Sequence, residues 1–293
     1  MQLVWLFFML QGCSSPCDTS EPAALVIEQL HLGSRSIGEA ALVRGPDGTV
    51  VLIDVGNDSH AGELEDALSR HGAGVDHVVV THPDEDHIGG LDKLLSSRSP
   101  QVHRWDTVDL PTMIPLGDGA VLTLFLADGQ LALGGGALAM LPRPEGDNAR
   151  SIGGIVTYGT FSYLFAGDLP GGGKGTQDLE GAVAEHAAQL PWVPAGGVDV
   201  LQLNHHGISS STSPAWADWL RPAHAVVGAN NAYLDAPSEE ALSALAPWST
   251  QVWVTEDGLL GNSDAHTTVV HGGVSVRVDA GGRTFTAGPT CPP

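Results

Sequence analysis

The sequence predicts a single α/β domain, and three observations support this fold class. The 293 residues are 42% hydrophobic and only 16% charged, which is enough apolar material to bury a core. Short continuous apolar runs such as residues 50–53 are typical of strands that are covered on both faces. These runs alternate with amphipathic segments such as residues 63–70, where Gly72 follows as a stop signal. No repeat or linker divides the chain after residue 24.

The predicted elements follow from apolar runs, from helical spacing and from turn residues such as Gly159 and Pro214. Strands are predicted at residues 24–27, 40–43, 50–53, 75–80, 120–126, 155–158, 162–165, 198–203 and 224–227, with further strands from 251 to the end. Helices are predicted at residues 63–70, 88–97, 177–190, 214–220 and 237–246. Strands that alternate with helices in this way favour an α/β architecture.

The N-terminal residues predict export rather than a part of the fold. Residues 3–10 form an apolar run that is too short to span a membrane but suits a secretion signal, although no Lys or Arg precedes it. The sequence LQGC, ending at Cys13, resembles the lipobox of bacterial lipoproteins. We therefore expect a signal peptide at 1–12, a tether at 13–24 and the folded domain at 25–293. The protein would be a lipoprotein anchored in the cell envelope through Cys13, facing the periplasm or the exterior. The alternative is a buried N-terminal strand.

The charge balance limits the partners of the domain. The chain has 34 acidic and 12 basic residues and a net charge of −22, which excludes a general attraction to nucleic acid backbones or anionic lipid surfaces. No protein partner is indicated. In an oxidising compartment Cys17 and Cys291 could form a disulfide, or both could remain thiols.

The residues with metal-binding chemistry are concentrated in residues 81–90, which read THPDEDHIGG. This loop follows a buried strand and carries four potential ligands within six residues: His82, Asp84, Asp86 and His87. Imidazole and carboxylate groups together suit Zn²⁺, Mn²⁺ or Fe²⁺. Two glycines at the end of the loop would let the following helix lie close to it. The loop therefore predicts a metal site.

This loop resembles the signature of the metallo-β-lactamase superfamily, HxHxDH, with Asp84 in place of the second His. The variant is similar to the C-terminal hydrolase domain of the competence protein ComEC, over about residues 25–287. Further matches are GEA at 38–40, IDVG at 53–56, NARS at 148–151, FAGD at 165–168 and NHHG at 204–207, followed by the serines at 209–211. The resemblance implies a metallo-β-lactamase αββα sandwich.

The resemblance also implies roles for single residues. Asp54 would orient the metal loop through hydrogen bonds. His82 and Asp84 would hold one divalent ion, Asp86 and His87 with one of two later histidines would hold another, and Asp168 would bridge them. Of His205 and His206, one would bind metal and the other would face the substrate. Asn148 and Ser151 would contact phosphate or support the site, or they would be simple loop caps.

The expected cofactors are two divalent ions, Zn²⁺ or Mn²⁺, which would activate a water for attack on phosphorus or a carbonyl carbon. The hard oxygen of Asp84 favours Mn²⁺ or Mg²⁺ more than a three-histidine site would. One departure from the family lies in residues 230–237, where the His of the ComEC-like pattern is absent. His31 is tempting as a ligand, but it is expected at a strand end away from the metals.

The sequence thus predicts an exported, metal-dependent hydrolase, a phosphodiesterase or nuclease-like enzyme. Its substrate would be a small-molecule or nucleic-acid phosphodiester. One alternative is the same site acting on a small ester, lactone or phosphocholine-type substrate; another is a metal-binding lipoprotein without catalysis. A nuclease needs a basic track along its groove. We therefore ask whether four arginines, Arg35, Arg104, Arg143 and Arg150, line one side of the metal site.

Overall fold

The computed structural model describes residues 23–33, 37–72, 74–229, 235–256 and 264–290. The predicted signal peptide and lipid attachment at Cys13, the pair Cys17 and Cys291, Arg35 and residues 230–234 lie outside the described residues. No helix in the described part of the chain is long and apolar enough to cross a membrane.

Seventeen strands and six α-helices are formed by the described residues. The strands are β1 Leu25–Gln29, β2 Ala41–Arg44, β3 Val50–Ile53, β4 His77–Val80, β5 Gln101–Arg104, β6 Thr112–Gly117, β7 Ala120–Ala127, β8 Gln130–Ala132, β9 Leu138–Met140, β10 Gly153–Tyr158, β11 Phe161–Phe165, β12 Val200–Gln202, β13 His224–Val227, β14 Gln251–Val254, β15 Thr267–Val269, β16 Val274–Val278 and β17 Phe285–Pro289. The helices are α1 Ala61–Arg70, α2 Glu85–Ile88, α3 Leu91–Leu95, α4 Leu179–Ala184, α5 Pro214–Leu220 and α6 Glu239–Leu245.

The strands form two sheets. The first has the order β17-β16-β1-β2-β3-β4-β5, and the second has the order β15-β14-β13-β12-β11-β10-β7-β8-β9, with β6 also paired to β7. Strands β3, β4 and β5 are parallel, as are β11 to β15. Because the carboxyl ends of parallel strands meet at one edge of a sheet, the loops that follow them are brought together.

Two apolar cores separate the layers. Along β10 and β11 alternate side chains point to opposite faces, so that Val156 and Phe165 belong to one core and Ile155 and Leu164 to the other. The first core also takes in the first sheet and α1, and the second holds the buried faces of α4, α5 and α6. Helices therefore cover the outer face of each sheet. The protein is a single-domain metallo-β-lactamase fold, as the sequence predicts.

Three predicted helices differ from the observed ones. Instead of one helix at 88–97, α2 begins inside the metal loop and α3 follows after two glycines. A Cβ on Gly90 would lie 2.7 Å from the carbonyl oxygen of Val55, so only glycine permits this close packing. The helix predicted at 177–190 is α4 followed by a separate 3₁₀ turn. The helix predicted at 237–246 begins after Ser238, whose side chain caps the Ala241 amide, and not at Pro237.

Candidate metal centre

Four loops meet at the carboxyl ends of the central strands. Asp54 follows β3, the loop 81–87 follows β4, Asp168 follows β11 and the two histidines 205 and 206 follow β12. Backbone hydrogen bonds tie these loops together: the amide of Ile152 donates to Thr81 O, and the amide of His205 donates to Gly167 O. The site is therefore built on backbone that both sheets fix in place.

Asp54 orients two imidazoles from beneath the metal loop. Its Oδ1 accepts the Thr81 amide at 2.8 Å, and its Oδ2 accepts both the Thr81 hydroxyl and His87 Nδ1, each at 2.8 Å. Because the Thr81 hydroxyl donates to Asp54, its oxygen accepts from His82 Nδ1, 3.0 Å away. Both rings therefore carry the proton on Nδ1 and turn Nε2 toward the site. This is the role that the sequence predicts for Asp54, which adopts a left-handed backbone with φ of 59°.

Asp168 lies at the centre of the histidine cluster and is buried. Its Oδ1 is 3.2 Å from His87 Nε2, whereas its Oδ2 is 3.8 Å from His82 Nε2 and 3.4 Å from His205 Nε2. The two carboxylate oxygens thus face different imidazoles. This placement matches a carboxylate that lies between two cations.

A second group of ligand atoms surrounds His206. Its Nε2 is 3.3 Å from Asp86 Oδ2, and its Nδ1 donates to the carbonyl of Gly228 at 2.9 Å. Ligand atoms of Glu39, His87, Asp168 and His206 all lie within 4.8 Å of one another, and all four residues are buried. On the other side of Asp168, His82 Nε2 lies 3.6 Å from Asp84 Oδ2. The seven predicted ligands, His82, Asp84, Asp86, His87, Asp168, His205 and His206, therefore lie in one cluster.

Unsatisfied buried atoms show that this cluster suits a cation. Among the described residues, His82 Nε2, His87 Nε2 and Asp168 Oδ1 are buried without a hydrogen-bond partner. A buried polar atom without a partner costs stability, so native proteins rarely keep several together. Imidazole nitrogens and carboxylate oxygens that converge in this way fit a divalent metal ion.

The electrostatics of the cluster point in the same direction. Burial raises the pKa of Asp168, but His87, His205 and His206 outweigh this effect and hold it well below its ordinary value. Burial lowers the pKa of His87, yet Asp168 and Asp54 raise it well above its ordinary range. For His206, Glu39 and Asp168 overcome burial and raise the pKa to about 9. The carboxylates thus stabilise positive charge in the cluster. A divalent ion can supply this charge in place of the protons on the histidines.

The two adjacent histidines differ in environment. His206 is fully buried, whereas the side chain of His205 is 21% exposed. His205 Nδ1 lies 2.7 Å from Ser210 Oγ, and its Nε2 lies 3.3 Å from Asn148 Nδ2. Burial lowers the pKa of His205. The geometry favours His206 as the metal ligand and His205 as the histidine that faces the solvent side of the site.

Asn148 and Ser151 lie at different depths. Asn148 is in contact with the cluster, because its side-chain amide lies within hydrogen-bond distance of His205 Nε2. Ser151 is buried; its hydroxyl donates to Asn148 O at 2.8 Å and accepts the Asp168 amide at 3.1 Å. The structure therefore makes Ser151 a residue that positions Asp168 and Asn148 from behind, and gives it no exposure to a substrate.

Two buried glutamates contribute to the site without having been assigned a role from the sequence. Glu39 lies in the motif at 38–40, and burial raises its pKa to about 7 although His206 and His87 oppose this. Glu180 on α4 accepts Asn204 Nδ2 at 2.7 Å and the amides of Thr212 and Ser213 at 2.8 and 2.6 Å. It thereby fixes the loop that carries the two histidines. The motif position was a signal for Glu39, but nothing in the sequence around Glu180 distinguishes it from a surface helix residue.

Comparisons with known proteins found a matching family model, a sequence relative and similar solved structures. The family model described as the metallo-beta-lactamase superfamily matches residues 34–213. Recombination protein 2 of Haemophilus influenzae (strain ATCC 51907 / DSM 11121 / KW20 / Rd) is 26% identical over 191 residues, which cover 62% of this chain and 22% of that protein. The chain therefore spans about a fifth of the length of that relative.

Solved structures with a similar fold include two further proteins. The metallo-beta-lactamase fold protein YhfI from Bacillus subtilis aligns with a TM-score of 0.48 and 12% identity, over 80% of this chain and 97% of that one. Zn²⁺-bound PqqB from Methylobacterium extorquens aligns with a TM-score of 0.47 and 14% identity, over 86% of this chain and 100% of that one.

Proposed function

The chain belongs to the metallo-beta-lactamase superfamily, and from this premise we propose that it is a metal-dependent hydrolase of phosphodiester bonds with two divalent ions. His82 and Asp84 would hold the first ion, and Asp86, His87 and His206 the second. Asp168 would contribute one carboxylate oxygen to each. The observation that carries this proposal is the position of Asp168, whose two oxygens face His82 and His87 separately.

The protein's own residues have distinct tasks in this proposal. Ions held in the cluster would polarise a water molecule and neutralise negative charge that develops on the substrate. Asp54 fixes the tautomers of His82 and His87, so that their Nε2 atoms need no reorientation. The His205 side chain is partly exposed, and burial lowers its pKa, which favours the neutral form that can accept a proton on the substrate side.

Two observations favour phosphodiesters over lactams. Asp84 places a hard oxygen ligand where the superfamily signature has an imidazole, which favours Mn²⁺ as well as Zn²⁺. The sequence relative from Haemophilus influenzae is called a recombination protein, which also favours a nucleic acid substrate. The net charge of −22 argues for small phosphodiesters or short strands rather than a tight grip on long nucleic acid.

A small carboxylic ester, lactone or phosphocholine-type substrate is the second candidate. It is favoured by the small number of basic residues, 12 in the whole chain, because a groove for long nucleic acid needs many more. The same cluster would serve either reaction, so the substrate preference depends on the residues that surround the cluster.

Parallel hydrolysis assays test the proposal. The purified domain would be supplied with Mn²⁺ or Zn²⁺ and given bis-p-nitrophenyl phosphate, single-stranded DNA and a simple lactone. We expect metal-dependent turnover of the phosphodiester. Lactone hydrolysis without turnover of any phosphodiester would establish the second candidate instead.

A single substitution tests the assigned ligands in the same assay. Asp86→Ala should abolish metal-dependent turnover while circular dichroism shows a folded protein, because Asp86 Oδ2 lies 3.3 Å from His206 Nε2 on the side of the second ion. An unchanged rate would refute this assignment. Asp92→Ala, on the outer part of α3, is the matched control and should keep full activity.

We also propose that the protein is held at the cell envelope through a lipid on Cys13, which the LQGC sequence supports. Labelled fatty acid should enter the wild-type protein in a bacterial host. It should be absent after Cys13→Ser; incorporation into that variant would contradict the anchor.

A further inference from the structure

Three of the twelve basic residues gather beside the metal loop. Arg104 ends β5 and pairs in register with Val80, the last residue before the loop. Its guanidinium carbon lies 4.8 Å from the centre of the Trp105 ring, and that of Arg150 lies 5.9 Å from the same ring. Arg143 lies in the loop that leads to Arg150. Asp106, Asp128 and Asp147 lie close to these arginines, so the arginines are clustered but the region is not positively charged as a whole.

A cavity of about 550 Å³ opens at this position. Arg143 and Arg150 line it together with the apolar side chains of Met140, Leu141 and Pro144. This volume suits a small organic group with a polar end. The wall that carries Arg150 is the 3₁₀ turn Asn148–Arg150, whose first residue contacts His205 in the metal centre. The cavity therefore lies next to the reaction site, across a single turn of backbone.

Of the two arginines that line the cavity, one is available to bind an anionic ligand. Arg150 Nε donates to Asp128 Oδ1 at 2.8 Å, so part of its charge is used within the protein. Within the described residues Arg143 makes no ion pair. Gln177 Nε2 donates a hydrogen bond to the backbone carbonyl of Arg143, which fixes the loop that carries this side chain. Asp128 and Asp147 also line the cavity, so an anionic ligand must contact the Arg143 guanidinium directly to be bound.

From this arrangement we propose that the cavity binds a second, non-reacting phosphate of the substrate, through Arg143 with Arg150. The preferred substrate is then a short phosphodiester with a terminal phosphate, whose apolar or base portion lies against Met140 and Leu141. This inference rests on the proposed phosphodiesterase function and specifies its substrate class.

Two dinucleotides test this inference. Thymidylyl-thymidine is cleaved with and without a 5′-terminal phosphate, and kcat/KM is compared for the wild type and for Arg143→Gln. The wild type should prefer the phosphorylated dinucleotide by about tenfold, the value of one charge-assisted contact. Arg143→Gln should reduce this preference to near unity. Arg283→Gln, in the β16–β17 turn beside the β10–β11 hairpin turn, removes the same charge and should keep the wild-type preference.

A binding measurement separates this inference from the proposed function. Thymidine 5′-monophosphate is titrated calorimetrically into protein that is kept metal-free with EDTA. The dissociation constant should rise about tenfold in Arg143→Gln and stay constant in Arg283→Gln. If neither dinucleotide is cleaved, the proposed function fails, and this titration still decides the site. Equal affinities of wild type and Arg143→Gln, or an equal substrate preference, would overturn the inference.

Discussion

Two buried carboxylates in this protein are satisfied in opposite ways. Glu28 on β1 is paired within the chain: Oε1 accepts Arg70 Nη2 at 2.6 Å, and Oε2 lies 2.7 Å from His71 Nε2. Asp168 is just as deeply buried, but its ion pairs within the described residues are all with imidazoles, at 3.2 to 3.8 Å. Permanent positive charge from arginine is present at Glu28 and missing at Asp168.

The difference distinguishes a structural ion pair from a binding site. At Glu28 both oxygens have short contacts, and the protein itself supplies the cation. At Asp168 one oxygen and two neighbouring imidazole nitrogens remain without hydrogen bonds. The imidazoles around a buried carboxylate can lose their protons, and the carboxylate and imidazoles can then bind a metal ion instead. We therefore expect Glu28 to matter for stability and Asp168 for metal and catalysis.

The largest effect is expected from Asp168→Asn. Loss of the central carboxylate removes a ligand from both ions, so phosphodiester hydrolysis should fall by more than about a hundredfold, the upper range for residues that only support a metal ligand. Glu28→Gln is the matched control and should retain the wild-type rate under conditions where it is folded. Equal rates for Asp168→Asn and the wild type would contradict the assignment.

The next effect is expected in the stability of Glu28→Gln. Removing a buried charge that pairs with Arg70 should cost about 2 to 3 kcal/mol at pH 7, at or below the low end of the range for fully buried pairs because Arg70 is partly exposed. Urea unfolding at pH 7 measures this cost. Metal binding separates the two variants: Glu28→Gln should bind metal as the wild type does, whereas Asp168→Asn should not.

The stability difference at Glu28 should depend on pH. Burial raises the pKa of Glu28, but His71 and Arg70 outweigh it and hold the pKa below the ordinary 4.5. The unfolded chain therefore takes up the proton first as the pH falls, and the contribution of Glu28 is complete above about pH 4.5 and lost below it. Wild type and Glu28→Gln should converge in stability as the pH falls below 4.5. A constant difference down to pH 3 would refute the ion pair.

A smaller effect is expected from Glu180→Gln, which acts on the histidine loop. The glutamine amide nitrogen cannot accept the hydrogen bonds that one Glu180 oxygen accepts now. The loop with His205 and His206 should therefore be held less firmly. Metal affinity should fall about tenfold, as is usual for residues that support metal ligands. Glu185→Gln, on an exposed residue just after the same helix, should leave the affinity unchanged. Equal affinity in both variants would show that Glu180 is not required.

The smallest effect is expected from Asp84→His, which restores the second imidazole of the superfamily signature. Exchange of a hard oxygen for nitrogen should shift the ratio of Zn²⁺ to Mn²⁺ affinity toward Zn²⁺ by a few-fold, about 1 kcal/mol or less. Competition between the two metals measures the ratio. A shift toward Mn²⁺ would contradict the role of Asp84 as a ligand.

The sequence predicts this fold well where the pattern is local. The continuous apolar run of β3 and the motif after β4 are both visible in the sequence, and the structure places Asp54, His82 and His87 in the loops that follow these strands. The helix starting at Glu85 was missed because it begins within the polar loop, where no apolar period marks it. Glu180 was missed because its burial depends on Asn204 and Thr212, which are distant in sequence. The cavity beside Arg143 likewise depends on loops that only the tertiary fold brings together.

Metal stoichiometry tests the central claim most directly. The metal-free wild-type protein is titrated with Mn²⁺ and, separately, with Zn²⁺ in a calorimeter, and the bound ions are counted after dialysis by elemental analysis. The account predicts two equivalents per chain in the wild type. One equivalent or fewer for both metals would contradict the placement of Asp168 between two ions.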